Sequence, residues 1–208
     1  YLGVVLMPLL KQAFDLHHQR QRAGELGQFD ETEQRQVMTL AGALGLAHWG
    51  DDPAVAAVGE KTPEHAQCMQ GLLAAFPNAK FIHLIRDGRD VCTSGWYDNI
   101  RRDGEKFRQR FPEMTSYIDY TTRNHWVSYI RKAQRFGAEH PDRYLELFYE
   151  QMKQDPAGQA ARALRFLGLE ADEATIAGCV AAGAFRTAAG GRSAGQEDRD
   201  SFFRKGVA

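Results

Sequence analysis

With 208 residues, 43% hydrophobic and 25% charged, the chain has the composition of a folded soluble protein and the size of one ordinary domain. A net charge of −1 argues against a global bias toward nucleic acid or anionic membrane, so any attraction for anions must be local. Three widely spaced cysteines, Cys68, Cys92 and Cys179, argue against a disulfide framework and fit a reducing, cytoplasmic setting.

The longest apolar stretch, residues 1–10, contains Pro8 and stops at Lys11. It is too short to span a bilayer, and no basic region precedes it. Residues 2–22 read as a helix of mixed periodicity, on which His17-His18 is a solvated pair rather than a zinc site. Asp30 and Glu33 have the spacing of a capping pair for a helix over residues 33–47. Residues 54–58 are short, apolar and partly β-branched, which predicts a buried strand. Gly59-Glu60-Lys61-Thr62-Pro63 then turns into a helix, with Thr62 at the N-cap and Pro63 at the first helical position. That helix runs to about Ala75 and stops before Pro77-Asn78.

A second strand over residues 80–85 ends abruptly in Arg86-Asp87-Gly88-Arg89-Asp90, and a helix carrying Ser94 follows from Gly88. Residues 116–138 predict a long helix with Ile118, Trp126, Ile130, Ala133 and Phe136 on one face. Residues 144–148 predict a third strand. Asp155-Pro156 opens a helix closed by Gly168, and residues 172–182 make another. The tail from Gly190 is Gly-, Ser- and charge-rich and reads as irregular.

Strand–turn–helix units in succession imply an α/β fold: a parallel central sheet flanked by helices, in one domain over residues 1–208. Ligands of such a sheet sit beyond the carboxyl ends of the strands. Three polar turns fall there: Glu60-Lys61-Thr62, Arg86 to Asp90, and Tyr149-Glu150.

Guanidinium groups, a hydroxyl and free backbone N–H groups at a helix start suit a phosphate dianion. Helical side chains lean toward the N-terminus, so Ser94 can point back at Arg86 and the two can grip a phosphate. The alternative is a surface Arg and a Ser bonded to its own backbone. Arg89 and Asp90 read as an exposed turn, with Asp90 serving the helix dipole. Lys61 is either half of a surface ion pair with Glu60 or a cation in the cleft. His65 is either a surface residue or a base. Tyr149 and Phe185 are core or rim aromatics, or they border a purine. Arg204-Lys205-Gly206, after Phe202-Phe203, is either a solvated tail or a flexible segment that closes over an anion.

Together these blocks resemble the sulfotransferases that use 3′-phosphoadenosine 5′-phosphosulfate (PAPS), which have a P-loop NTPase-like fold. The resemblance covers residues 59–208. Gly59-Glu60-Lys61-Thr62-Pro63 with Phe81 to Ser94 resembles the element that binds the 3′-phosphate. Leu147-Phe148-Tyr149-Glu150-Gln151-Met152 resembles the family's Tyr-Glu-Asp strand end, and Phe202-Phe203-Arg204-Lys205-Gly206 its C-terminal Arg-Lys-Gly. The resemblance implies that Arg86 and Ser94 bind the 3′-phosphate and that Arg204, Lys205 and the Gly206 backbone close over it. It implies that Tyr149 borders the adenine, that Phe185 stacks on it and that Lys61 lies near the transferring group.

The implied activity is transfer of a sulfuryl group from PAPS to a hydroxyl or amine, without a metal. The acceptor is a small molecule, carbohydrate or peptide; a homodimer is allowed, and neither nucleic acid nor a membrane span is expected. The family's 5′-phosphosulfate loop and the strand before it have no counterpart in the sequence, so the chain is expected to be partial at both ends. Many members carry a His two positions after the lysine matched by Lys61, where this chain has Pro63. The base is then His65, Glu60 or a Glu preceding Tyr1. Two other readings remain: a nucleotide kinase-like P-loop enzyme, and a non-catalytic adenosine-bisphosphate-binding protein on the same scaffold. Residues 96–126 are rich in aromatics and charges, and either line the acceptor pocket or form a helical excursion with a buried aromatic side.

Overall fold

A computed structural model describes residues 56–59, 61, 63–198, 201 and 206. The expected helices over 2–22 and 33–47 lie outside the described residues, as does Thr62. The chain divides into two compact units, Tyr1–Ala79 and Lys80–Ala208.

In the first unit Pro63 opens a 3-10 helix, Pro63–Gln67, and α1 (Met69–Ala75) follows. Pro is favoured at a first helical position because its missing N–H has no partner to lose there. Phe76 closes α1 by donating to the Leu72 carbonyl at 2.8 Å, and Pro77 cannot extend it. Residues 56–59 carry no regular structure, so within the described residues the strand expected over 54–58 is not formed. Alanines offer little to pack on a pleated sheet, and Val58 is exposed.

The second unit is built on two parallel strands, β1 (Phe81–Ile85) and β2 (Tyr144–Phe148), paired from Phe81 opposite Tyr144 to Ile85 opposite Phe148. Parallel neighbours need a long crossover. It consists of α2 (Gly88–Arg110), α3 (Met114–Thr121), a π-helical turn (Thr122–Trp126) and α4 (Val127–Glu139). The single helix expected over 116–138 is therefore two α-helical segments joined by a π turn. On α4, Ala133, Phe136 and Gly137 share one face and are buried. Phe136 meets Phe81 edge to face at 4.9 Å. Gly137 faces the Tyr144 ring, where a Cβ would lie 2.6 Å from Cε1.

Inside α2, Asp103 leaves helical geometry (φ −156°, ψ 67°). In a straight helix, residues eleven apart are separated by about 16 Å along the axis. The break lets Phe107 fold back to 5.1 Å from Trp96, where Tyr117 also packs. The aromatics of this region thus pack on one another as a helical excursion, with Phe111 buried and Trp96, Phe107 and Tyr117 half-buried.

After β2 the chain forms α5 (Tyr149–Gln154), α6 (Pro156–Leu167), α7 (Glu173–Ala182) and α8 (Phe185–Ala188). Asp155 caps α6 by accepting from the Gly158 N–H at 2.9 Å. Gly168, at φ 78°, ends α6. Its N–H bonds the Arg165 carbonyl and that of Leu169 bonds Leu164, the paired pattern that satisfies the last carbonyls. Among the described residues no helix is long and apolar enough to cross a membrane.

Candidate phosphate-binding site

The register of the sheet builds the site. Ile85 pairs with Phe148, so the next residues, Arg86 and Tyr149, emerge side by side beyond the carboxyl ends of β1 and β2. The Arg86 guanidinium lies over the Tyr149 ring, 5.0 Å from its centroid, a favourable cation–π geometry. The adjacent residue of each strand end adds a cross-link: the Asp87 N–H donates to Glu150 Oε1 at 2.9 Å.

Asp87 is the N-cap of α2. Its carboxylate accepts from the Arg89 N–H at 2.8 Å and from the Arg89 guanidinium at 2.6 and 2.9 Å. These hydrogen bonds hold its carboxyl down at about 2, well below the usual range. The helix start is therefore already partly occupied by a carboxylate. The Asp87 and Arg89 N–H groups are thus taken by Glu150 and Asp87, which narrows the expectation of free backbone N–H groups at this helix start. Arg89 is exposed as expected.

Asp90 is not an exposed turn residue. It faces Arg86 at 3.5 Å, and both side chains are half-buried. Arg86, Asp90 and Ser94 follow at intervals of four, so they lie along one stripe of α2 and its entry turn. Ser94 lies about 9 Å up the axis from Gly88. No hydrogen bond joins Ser94 to Arg86, and none ties it to its own backbone among the described residues. Its neighbour Thr93 makes that backbone bond, to the Arg89 carbonyl at 2.8 Å. Arg86 Nε is buried and has no hydrogen-bond partner among the described residues. The pieces fit an anionic group: a fixed guanidinium with an unused N–H, and a half-buried hydroxyl on the same stripe.

A second aromatic is paired with the tail. Gly206, at φ 73°, sits against the Phe185 ring, where a Cβ would come 2.5 Å from Cδ2. Arg192 lies over the same ring at 5.5 Å. The structure thus joins Arg86 with Tyr149, and Phe185 with Gly206. Lys61, exposed, and His65, half-buried in the 3-10 helix, belong to the first unit. Glu60, Arg204 and Lys205 lie outside the described residues.

Asp90, Glu150 and Trp126 contribute to this turn in ways that the sequence reading missed. The four-residue spacing of Arg86 and Asp90 is the sequence signal that fits their contact, where an exposed turn was expected for Asp90. The Trp126 indole N–H donates to the Arg86 carbonyl at 2.9 Å across 40 positions, a bond that no local pattern encodes.

Comparison with known proteins supplies the remaining constraint. The chain is 34% identical over 113 residues to omega-hydroxy-beta-dihydromenaquinone-9 sulfotransferase Stf3 of Mycobacterium bovis, covering 52% of this chain and 28% of that protein. It is 29% identical over 97 residues to sulfotransferase 1B1 of Canis lupus familiaris, covering 43% and 30%. The matched stretches thus span less than a third of either relative. Among solved structures it is similar to mouse sulfotransferase SULT7A1 complexed with PAP, at 20% identity and TM-score 0.47, covering 62% of this chain and 50% of that one. The model of the sulfotransferase family matches residues 8–173, most of the length, and takes in β1, Arg86, Ser94, β2 and Tyr149; the chain belongs to the sulfotransferase family.

Proposed function

We propose that this protein transfers a sulfuryl group from PAPS to an acceptor hydroxyl or amine and releases adenosine 3′,5′-bisphosphate. The observation that carries this reading is the meeting of Arg86 and Tyr149 at the ends of two adjacent parallel strands, in a chain of the sulfotransferase family. Arg86, with its unused Nε–H, and Ser94 hold the 3′-phosphate of the nucleotide. Tyr149, already stacked on the guanidinium, borders the adenine. Phe185 stacks on the base, and the segment Arg204-Lys205-Gly206 closes over the phosphate; the seat of Gly206 on the Phe185 ring supports that pairing.

Bound PAPS supplies the activated sulfuryl group. In the transfer the acceptor oxygen or nitrogen gains the bond to sulfur, the bridging oxygen of the donor leaves with the electron pair, and the acceptor proton goes to a base. Glu60 and His65 are this chain's candidates for that base, and Lys61 offsets charge building on the bridging oxygen. The mycobacterial relative is named for an omega-hydroxy substrate, which supports a hydroxyl acceptor here. The protein acts as one sulfotransferase domain, soluble and cytoplasmic, and a homodimer is compatible with it.

Calorimetry tests the reading. Adenosine 3′,5′-bisphosphate binds more tightly than 5′-AMP, which has the same base and 5′-phosphate but no 3′-phosphate. Equal affinity for the two overturns it. A screen of acceptors with radiolabelled PAPS then identifies the substrate class.

A further inference from the structure

The turn that presents Arg86 is fastened at its root as well as at its tip. Tyr149 and Asp90 restrain the guanidinium. The backbone behind it is restrained by Trp126, the last residue of the π turn between α3 and α4. The indole Nε1–H donates to the Arg86 carbonyl at 2.9 Å. The same ring lies against Gly88, two residues on: a Cβ there would sit 3.2 Å from both Cδ2 and Cε2. Gly88 has no positive φ, so the glycine serves close approach rather than backbone conformation. A π turn carries more residues per turn than an α-helix and so re-aims the side chains that follow it, which is why such turns recur at functional sites.

We propose that Trp126 is a positioning residue for the 3′-phosphate site. Its indole N–H and ring fix the Arg86–Gly88 backbone, so recognition of the phosphate depends on a side chain that acts through Arg86. The proposal rests on the reading of Arg86 as a phosphate ligand. Arg has a long flexible stem, and two-pronged recognition of a phosphate tolerates errors of only about 0.5 Å and 10–20°. Tyr149 and Asp90 limit where the fork points, but they cannot limit where its stem starts. A root fixed before binding lowers the ordering cost of the complex.

Calorimetry with adenosine 3′,5′-bisphosphate and 5′-AMP on the wild type, Trp126→Phe and Gly88→Ala decides the matter. Trp126→Phe keeps an aromatic ring against Gly88 and loses the N–H donor. Its affinity for the bisphosphate is expected to fall roughly three- to tenfold, the span of one lost neutral hydrogen bond, with 5′-AMP binding unchanged. A wild type that does not discriminate overturns the reading of the site itself. A wild type that discriminates, with Trp126→Phe discriminating equally well, overturns the role of Trp126 alone. Equal losses for both nucleotides also overturn it, because a merely structural residue would weaken both. If Trp126→Phe does not fold, Gly88→Ala decides by the same ratio, since its added Cβ must push the indole back by a few tenths of an ångström.

Discussion

Replacing Arg86 with Ala removes the guanidinium that stands where β1 and β2 end side by side. The guanidinium is held by the Tyr149 ring at 5.0 Å and by Asp90 at 3.5 Å, leaving Nε–H without a hydrogen-bond partner among the described residues. A hydrogen bond from a charged group to a phosphate contributes roughly 1.5–3 kcal/mol. At about 1.4 kcal/mol per decade, loss of one such bond weakens adenosine 3′,5′-bisphosphate binding roughly ten- to hundredfold. Asp90 adds to the loss, because the substitution leaves its carboxylate facing the phosphate with no cation between them. Arg86→Lys keeps the charge but loses the fork and most of the stacking on Tyr149, so it falls between wild type and Arg86→Ala. The assay is titration calorimetry against the bisphosphate and 5′-AMP, with a thermal melt to confirm the fold. Affinity for 5′-AMP is expected to hold while the preference for the bisphosphate collapses. Unchanged bisphosphate affinity in Arg86→Ala refutes the reasoning.

Other consequences are equally direct. Asp87 has a folded value of about 2 against 3.8 unfolded, so its stabilising charge is present above 3.8 and is lost as pH falls toward 2. In acid denaturation, the gap between wild type and Asp87→Asn is expected to close across that window; a gap independent of pH contradicts it. His83 is pushed below 6.5 by burial, against the opposing pull of Glu146; its Nδ1 lies 2.5 Å from the Tyr144 hydroxyl, which donates to Glu146 at 3.0 Å. The neutral imidazole therefore stabilises the fold above pH 6.5, and this contribution is lost as pH falls through the folded value. An NMR titration is expected to show His83 changing charge below 6.5, and a midpoint above it would mean that Glu146 outweighs burial. Gly137→Ala drives a Cβ into the Tyr144 ring and is expected to cost about 1–3 kcal/mol in urea denaturation, as overpacking does; an unchanged midpoint would show that α4 can move off the sheet.

Local chemistry made much of this protein legible from its residues alone. Asp155-Pro156 and Gly168 bound α6 because caps act within a few residues, through side-chain oxygens, a missing N–H and a left-handed backbone. The apolar run ending at Arg86 marked β1, although among the described residues only Ile85 of that strand is buried, while Ile82 and Leu84 are exposed. The four-residue spacing of Arg86, Asp90 and Ser94 placed them on one stripe because helical periodicity is local. What lay beyond reach depended on pairing between distant parts of the chain. The break at Asp103 and the π turn that ends at Trp126 are tertiary outcomes. So is the seat of Arg86, which draws Tyr149 from a strand end more than sixty positions away and Trp126 from 40 away. Propensity and capping are properties of neighbouring residues. Register, stacking and the bond to a distant carbonyl exist only once the sheet and its crossover have closed.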